Sequence, residues 1–152
     1  TRVIEFNARF GDPETQVVLA RLKTPLAHVL LAASTGRLHD VEDLRWREGA
    51  AVTVVVAAEN YPGTPVTGVA IRGLDDVDAV ENAYVLHAGT AHDAVGDVVS
   101  AGGRVLSVVG LGADLAEARE RAYAAVDLID LPGSHHRSDI ALAAELGEIH
   151  LP

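Results

Sequence analysis

One strongly signalled helix among several short apolar strands confines most of this chain to an α+β fold. Asp114 stands where an N-cap is needed, and Glu117 three residues later completes a capping box. Leu115, Ala118, Ala122, Val126 and Ile129 then recur at helical spacing and predict one buried stripe, ended by Pro132-Gly133. Residues 51–58, 69–72, 83–87 and 104–109 read instead as strands. They are separated by turn signals at Tyr61-Pro62-Gly63, Thr67-Gly68, Gly73 and Gly102-Gly103. A short helix over 138–146 closes the series. The expected architecture is a mostly antiparallel sheet or partial barrel backed by one long helix.

The first third of the chain has another character. Ile4, Phe6, Ala8 and Phe10 alternate with Glu5, Asn7 and Arg9, which predicts a strand over 3–10 with an apolar and a polar face. Gly11 breaks it. Asp12-Pro13-Glu14 reads as a helix start, with Asp12 as cap, Pro13 at the first helical position and Glu14 in the first turn. That helix is expected to reach about Lys23. Thr24-Pro25 repeats the signal for a second helix carrying Leu26, Val29, Leu30 and Ala33, closed by Gly36. The charged stretch 37–49, with the sole tryptophan Trp46, is the expected junction between a unit over 1–45 and a second over 46–152.

Composition narrows the function. Twenty-two acidic against 12 basic residues give a formal charge of −10, the wrong sign for a nucleic-acid scaffold. No cysteine is present, which removes disulfides, thiolate metal sites and thiol chemistry. No apolar run approaches the ~20 residues of a membrane helix, and the first residues lack a secretory pattern. A cytoplasmic protein is expected. The sequence has no methionine and opens directly on a strand pattern, so a piece of a longer protein is expected.

Glu5, Asn7 and Arg9 carry the most suggestive chemistry. A carboxylate and an amide oxygen two residues apart on one strand face are hard ligands suited to magnesium. Arg9 adds a cation able to hold an oxyanion by a forked contact, and a helix N-terminus follows at once. Solvation alone also produces a polar strand face, and capping accounts for Asp12 and Glu14 without any ligand. Other features carry less. His135 and His136 are adjacent and cannot share a direction on a regular element, and His87 reads as a packed or hydrogen-bonded structural residue. Gly110-Leu111-Gly112 lacks the later glycine of a phosphate loop and reads as a strand-to-helix turn. No serine–histidine–aspartate arrangement is arguable.

The block VIEFNARFGDPETQ at 3–16 resembles the segment that closes the ATP-grasp domain in the phosphoribosylamine–glycine ligase family. The likeness continues through YPG (61–63), HAGT (87–90), GGRVL (102–106), Glu117-Ala118, Ala122-Tyr123 and RSDIA (137–141), in order along nearly the whole chain. The resemblance implies the end of an ATP-grasp domain over 1–45 and a C-terminal α+β domain over 46–152. It implies an ATP-dependent carbon–nitrogen ligase of purine synthesis, joining glycine to 5-phosphoribosylamine through a glycyl phosphate. Glu5 and Asn7 would be ligands of Mg2+ (or Mn2+). Arg9, Asp12 and Glu14 would lie beside the glycine or phosphoribosylamine site, and no residue is assigned the catalytic role. The family's N-terminal domain and nucleotide-enclosing lysines have no counterpart here, where Lys23 is the sole lysine. The expected partner is therefore the N-terminal part of the same protein, and the fragment alone is expected to be inactive. Two alternatives stay open: a noncatalytic interaction module, and an ATP-grasp ligase for another carboxylate and amine. A glycine-rich loop and nucleotide-binding lysine upstream would separate ligase from module.

Overall fold

The computed structural model describes residues 9–149. In chain order the elements are α1 (Glu14–Arg21), α2 (Leu26–Ser34), β1 (Ala50–Ala57), β2 (Ala83–His87), β3 (Thr90–His92), β4 (Val98–Ser100), β5 (Arg104–Gly112), α3 (Leu115–Val126) and α4 (Leu142–Glu145). The described part is α+β with antiparallel sheets. One sheet has the order β1-β5-β2, and β3 and β4 form a separate two-stranded hairpin.

β5 is the centre. It pairs with β1 from Ala50↔Gly112 to Ala57↔Arg104, with a register shift at Val56/Ala57, and with β2 from Ala83↔Gly110 to His87↔Leu106. Valines fill these strands because β-branched side chains suit a pleated, covered surface. Val54, Val105, Leu106, Val108 and Val109 are fully buried. Burial of each such side chain contributes roughly 1.5–3 kcal/mol relative to exposure.

α3 packs on β1, β2 and β5. Its cap is the predicted one: Asp114 Oδ1 accepts the Glu117 N–H at 2.9 Å, and Glu117 Oε2 accepts from Ala113 N at 2.6 Å. Its contact face is almost all alanine, with Ala118, Ala122 and Ala125 at 0% exposure. The facing strand answers with glycine. A Cβ on Gly110 would collide with the Ala118 carbonyl and the Ala122 amide, and one on Gly112 with the Ala118 amide. Gly110-Leu111-Gly112 is therefore the end of β5, not the expected turn, and its glycines admit the helix backbone.

Several expected boundaries shift. α3 ends at Val126 rather than near Pro132, because residues beyond it peel off to pair Asp130 with Arg72 in both directions (2.9 and 3.0 Å). Ile129 still packs on the core from outside the helix. Residues 69–72 form isolated bridges to Val99 and Asp130 instead of a strand. The hairpin β3–β4, which the strand pattern did not suggest, is turned by Asp93, whose Oδ1 accepts from Val95 N and Asp97 N at 2.9 Å each. The last helix shrinks from 138–146 to α4, because the backbone of 137–140 is held by α3 side chains. Arg119 reaches the Ser138 and Ile140 carbonyls, and the Tyr123 hydroxyl meets the Arg137 carbonyl and the Ile140 amide.

α1 stops at Arg21, where Lys23 N and Arg47 N take up pairing with the Arg45 and Arg21 carbonyls. Thr24 does not cap α2; its hydroxyl accepts from Arg45 N at 2.8 Å. Gly36 closes α2 as expected. Arg37 N bonds Ala32 O (2.7 Å) and Gly36 N bonds Ala33 O (3.2 Å), with Gly36 at φ +68°.

Candidate functional site

Glu5 and Asn7, the expected metal ligands, lie outside the described residues, as does most of the expected strand over 3–10. Arg9 and Phe10 at its end are exposed, Phe10 by 62%, and Arg9 sits in a bend.

The turn that follows is tied down differently from the capping reading. Asp12 does not cap α1: the residue before the helix is Pro13, and no side chain caps it. The Asp12 carboxylate is bound elsewhere. Oδ2 forms an ion pair with Arg104 Nε at 2.9 Å, and Oδ1 accepts from Gln16 Nε2 at 2.7 Å. Glu14 occupies the first turn of α1 as expected, and its carboxylate folds back over Gly11, where any Cβ would strike it. A larger residue there would only displace the exposed Glu14 side chain. Asp12 and Glu14 thus share one turn, and Arg9 precedes it along the chain.

Arg104 opens β5, and its neighbours come from widely separated segments. Ala58 N donates to Gly103 O at 2.8 Å, and a Cβ on Gly103 would meet the Tyr61 ring. Ala88 N and Gly89 N both donate to Val105 O at 3.0 Å, and Ala101 N donates to Gly89 O at 2.7 Å. A Cβ on Gly89 would lie 2.6 Å from the Arg104 carbonyl. His87 Nδ1 and Thr90 Oγ1 are 3.0 Å apart, an exposed hydrogen bond within the same loop. The blocks GDPE, YPG, HAGT and GGRVL therefore meet at one end of the sheet. Arg104 was within a block that sequence reading singled out, yet its pairing with Asp12 left no local signal.

RSDIA is a different device. Arg137 grips Asp139 with two bonds, Nε to Oδ1 at 2.8 Å and Nη2 to Oδ2 at 2.7 Å. These hydrogen bonds hold the Asp139 carboxyl below its ordinary pKa. Tyr123 takes the guanidinium of Arg119 over its ring at 4.8 Å, and the His136 ring lies tilted 6.0 Å away. The block fastens the C-terminal segment to α3.

As donors, a carboxylate and an amide oxygen at Glu5 and Asn7 fit a hard dication, with Asp12 and Glu14 supplying further oxygen chemistry close by in sequence. Among the described residues no group of three or more His, Cys, Asp or Glu is placed to hold a metal ion. No helix among them is long and apolar enough to cross a membrane.

With this geometry in hand, the likeness to known proteins is specific. The phosphoribosylglycinamide synthetase C domain matches residues 51–143, and the chain belongs to that family. The phosphoribosylamine–glycine ligase of Streptomyces coelicolor is 70% identical over 146 residues, covering 94% of this chain and 35% of that protein. The Mycobacterium tuberculosis protein of the same name is 58% identical over 147 residues, 97% of this chain and 33% of the other. Among solved structures, the phosphoribosylamine–glycine ligase of Thermotoga maritima superposes with a TM-score of 0.76 at 34% identity, covering 91% of this chain and 33% of that one. The chain spans about a third of the length of the curated relatives it matches.

Proposed function

We propose that this chain serves as part of a phosphoribosylamine–glycine ligase, an ATP-dependent enzyme that joins glycine to 5-phosphoribosylamine and releases glycinamide ribonucleotide, ADP and phosphate. The observation that carries this reading is 70% identity across 94% of the chain to a protein of that name. The convergence of GDPE, YPG, HAGT and GGRVL at one sheet end supports it, because a site needs residues from distant segments held in common.

On this reading residues 1–45 end an ATP-grasp domain and 46–152 form the C-terminal domain. The contrast between the two helices that pack on the sheet supports that division. α3 meets the sheet through fully buried alanines, whereas α1, which packs on β1 and β5, has no fully buried residue. Gln16 Oε1, Thr53 Oγ1 and Ser107 Oγ are buried without a hydrogen-bond partner among the described residues. That pattern suits a looser contact between units.

Glycine's carboxylate would be phosphorylated by ATP to glycyl phosphate, which the amine of phosphoribosylamine then attacks. Glu5 and Asn7 would hold magnesium, which when bound neutralises phosphate charge. Arg9 would steady an oxyanion by a forked contact, and Asp12 and Glu14 would line the substrate side of the turn. Such catalysis rests on positioning and electrostatics. A cytoplasmic location belongs to this reading.

The test is Glu5→Gln in a ligase of full family length carrying this segment. Gln keeps the shape, so stability should change by less than about 1 kcal/mol. Loss of the charged oxygen should lower turnover roughly a hundredfold, equivalent to about 3 kcal/mol. Turnover is measured across magnesium concentrations beside thermal unfolding. Near-normal turnover at low magnesium would remove Glu5 from the metal site.

A further inference from the structure

We propose that Arg104 anchors the phosphate group of the sugar-phosphate substrate and that Asp12 is the positioning residue that orients it, an assignment that rests on the ligase reading above. The family resemblance places Asp12 beside the substrate site, but both of its oxygens are engaged, one by Arg104 Nε and one by Gln16 Nε2. The guanidinium is in the opposite situation. It carries five N–H donors, and Asp12 is its one ion-pair partner among the described residues. Its side chain is 44% exposed at the sheet end where the GDPE, YPG, HAGT and GGRVL turns meet. A carboxylate on Nε fixes the plane of an arginine and leaves terminal nitrogens for a second anion, the forked geometry that suits phosphate.

The two residues before it add donors. Gly102 and Gly103 are half-buried, and neither N–H donates to a backbone carbonyl among the described residues. Both N–H groups immediately precede Arg104 in the chain and are free to supplement its donors toward an anion. Side chains at Gly89 and Gly103 are excluded by the Arg104 carbonyl and the Tyr61 ring, so backbone and one aromatic ring wall this corner. In a chain of formal charge −10, an anion needs such a local cation to approach.

Chemistry selects among the anions of the reaction. ATP phosphates are matched by the hard ligands expected at Glu5 and Asn7. Glycine's carboxylate is itself the nucleophile toward phosphate and has to stay unmasked. The 5-phosphate of phosphoribosylamine takes no part in bond making, so a fixed guanidinium can hold it throughout without opposing any step.

The experiment uses a ligase of full family length carrying this segment, with Arg104→Gln, Arg104→Lys and Asp12→Asn. Arg104→Gln should raise the KM for phosphoribosylamine by about tenfold or more, the scale of a lost charge-assisted contact. The effect should fall on that KM rather than on those for ATP or glycine. Arg104→Lys should recover part of it by restoring the charge without the fork. Asp12→Asn should shift the same KM by less, since the guanidinium remains but is no longer held. Calorimetric titration with ribose 5-phosphate, against ribose as control, reads the contact without turnover, and binding should depend on Arg104. Three results would overturn the proposal: a shift confined to the KM for ATP, unfolding at lower temperature with every KM unchanged, or ribose 5-phosphate binding equally to wild type and Arg104→Gln. If the unmodified protein formed no ADP with glycine and phosphoribosylamine, the ligase reading would fall, and the titration would still decide the role of Arg104.

Discussion

At the scale of single residues, what a side chain does here depends on which partner outcompetes its local option. Asp12 precedes a helix and local rules assign it the cap, yet its two oxygens go to Arg104 and Gln16 and the helix begins after Pro13 without a side-chain cap. Asp114 has no such competitor and caps α3 as its sequence indicates. Asp139 gives the measurable case. The paired guanidinium of Arg137 lowers its pKa, so the folded state binds its proton less readily than the unfolded chain does. The pair's contribution is therefore present above the ordinary carboxylate pKa and is lost as pH falls through the depressed value. Solvent screening keeps it small, since both side chains are largely exposed. An NMR titration of the Asp139 carboxyl should show a midpoint below the ordinary value, and Arg137→Gln should return it. An unshifted midpoint in the unmodified protein would mean the pair does not persist in solution.

At the scale of elements, close approach of α3 to β5 is the main packing decision, and it rests on residues without side chains to spare. Gly110→Ala should destabilise the chain by about 2 kcal/mol, because the added methyl meets α3 backbone and the helix has to shift. Gly96→Ala is the contrasting case: Gly96 has φ +98° and open space around it, so only the backbone conformation resists, at roughly 1 kcal/mol. Urea unfolding of both variants separates the effects, and a Gly110→Ala midpoint at or above that of Gly96→Ala would mean the helix yields freely. The start of α3 was legible because a capping box is local. Its end was not, because Ile129 keeps helical spacing while the backbone has already turned toward Arg72. β3 and β4 are three residues each, too short for alternation to register.

At the scale of the whole molecule, the apolar surface is unevenly shared. Phe10, Val18, Leu19, Leu30, Leu31, Leu38, Leu44 and Trp46 are all large, apolar and exposed by 38–63%, and all lie before the main sheet. Such a surface is more than isolated exposed residues need explain, and it accords with a chain spanning about a third of its relatives. The 152-residue chain by itself should show no ligase turnover and only feeble nucleotide binding, since enclosure and positioning of the phosphates supply much of the rate. ADP formation with glycine and phosphoribosylamine is the assay. Sustained turnover by the verified chain would sink the proposal that catalysis needs the remainder of a ligase.

Sequence alone determined the class of fold, the central strands, the capped start of α3, the closing glycine of α2 and the resemblance carried by the 3–16 block. These are readable because hydrophobic period, cap residues and contiguous motifs act over a few neighbouring positions. Tertiary structure decided that Asp12 answers to Arg104, that Gly110 and Gly112 serve a helix rather than a turn, and that GDPE, YPG, HAGT and GGRVL share one corner. Those outcomes depend on which distant segments the antiparallel register of β5 brings together, and contact between residues far apart in the chain leaves no periodic or compositional trace at either end.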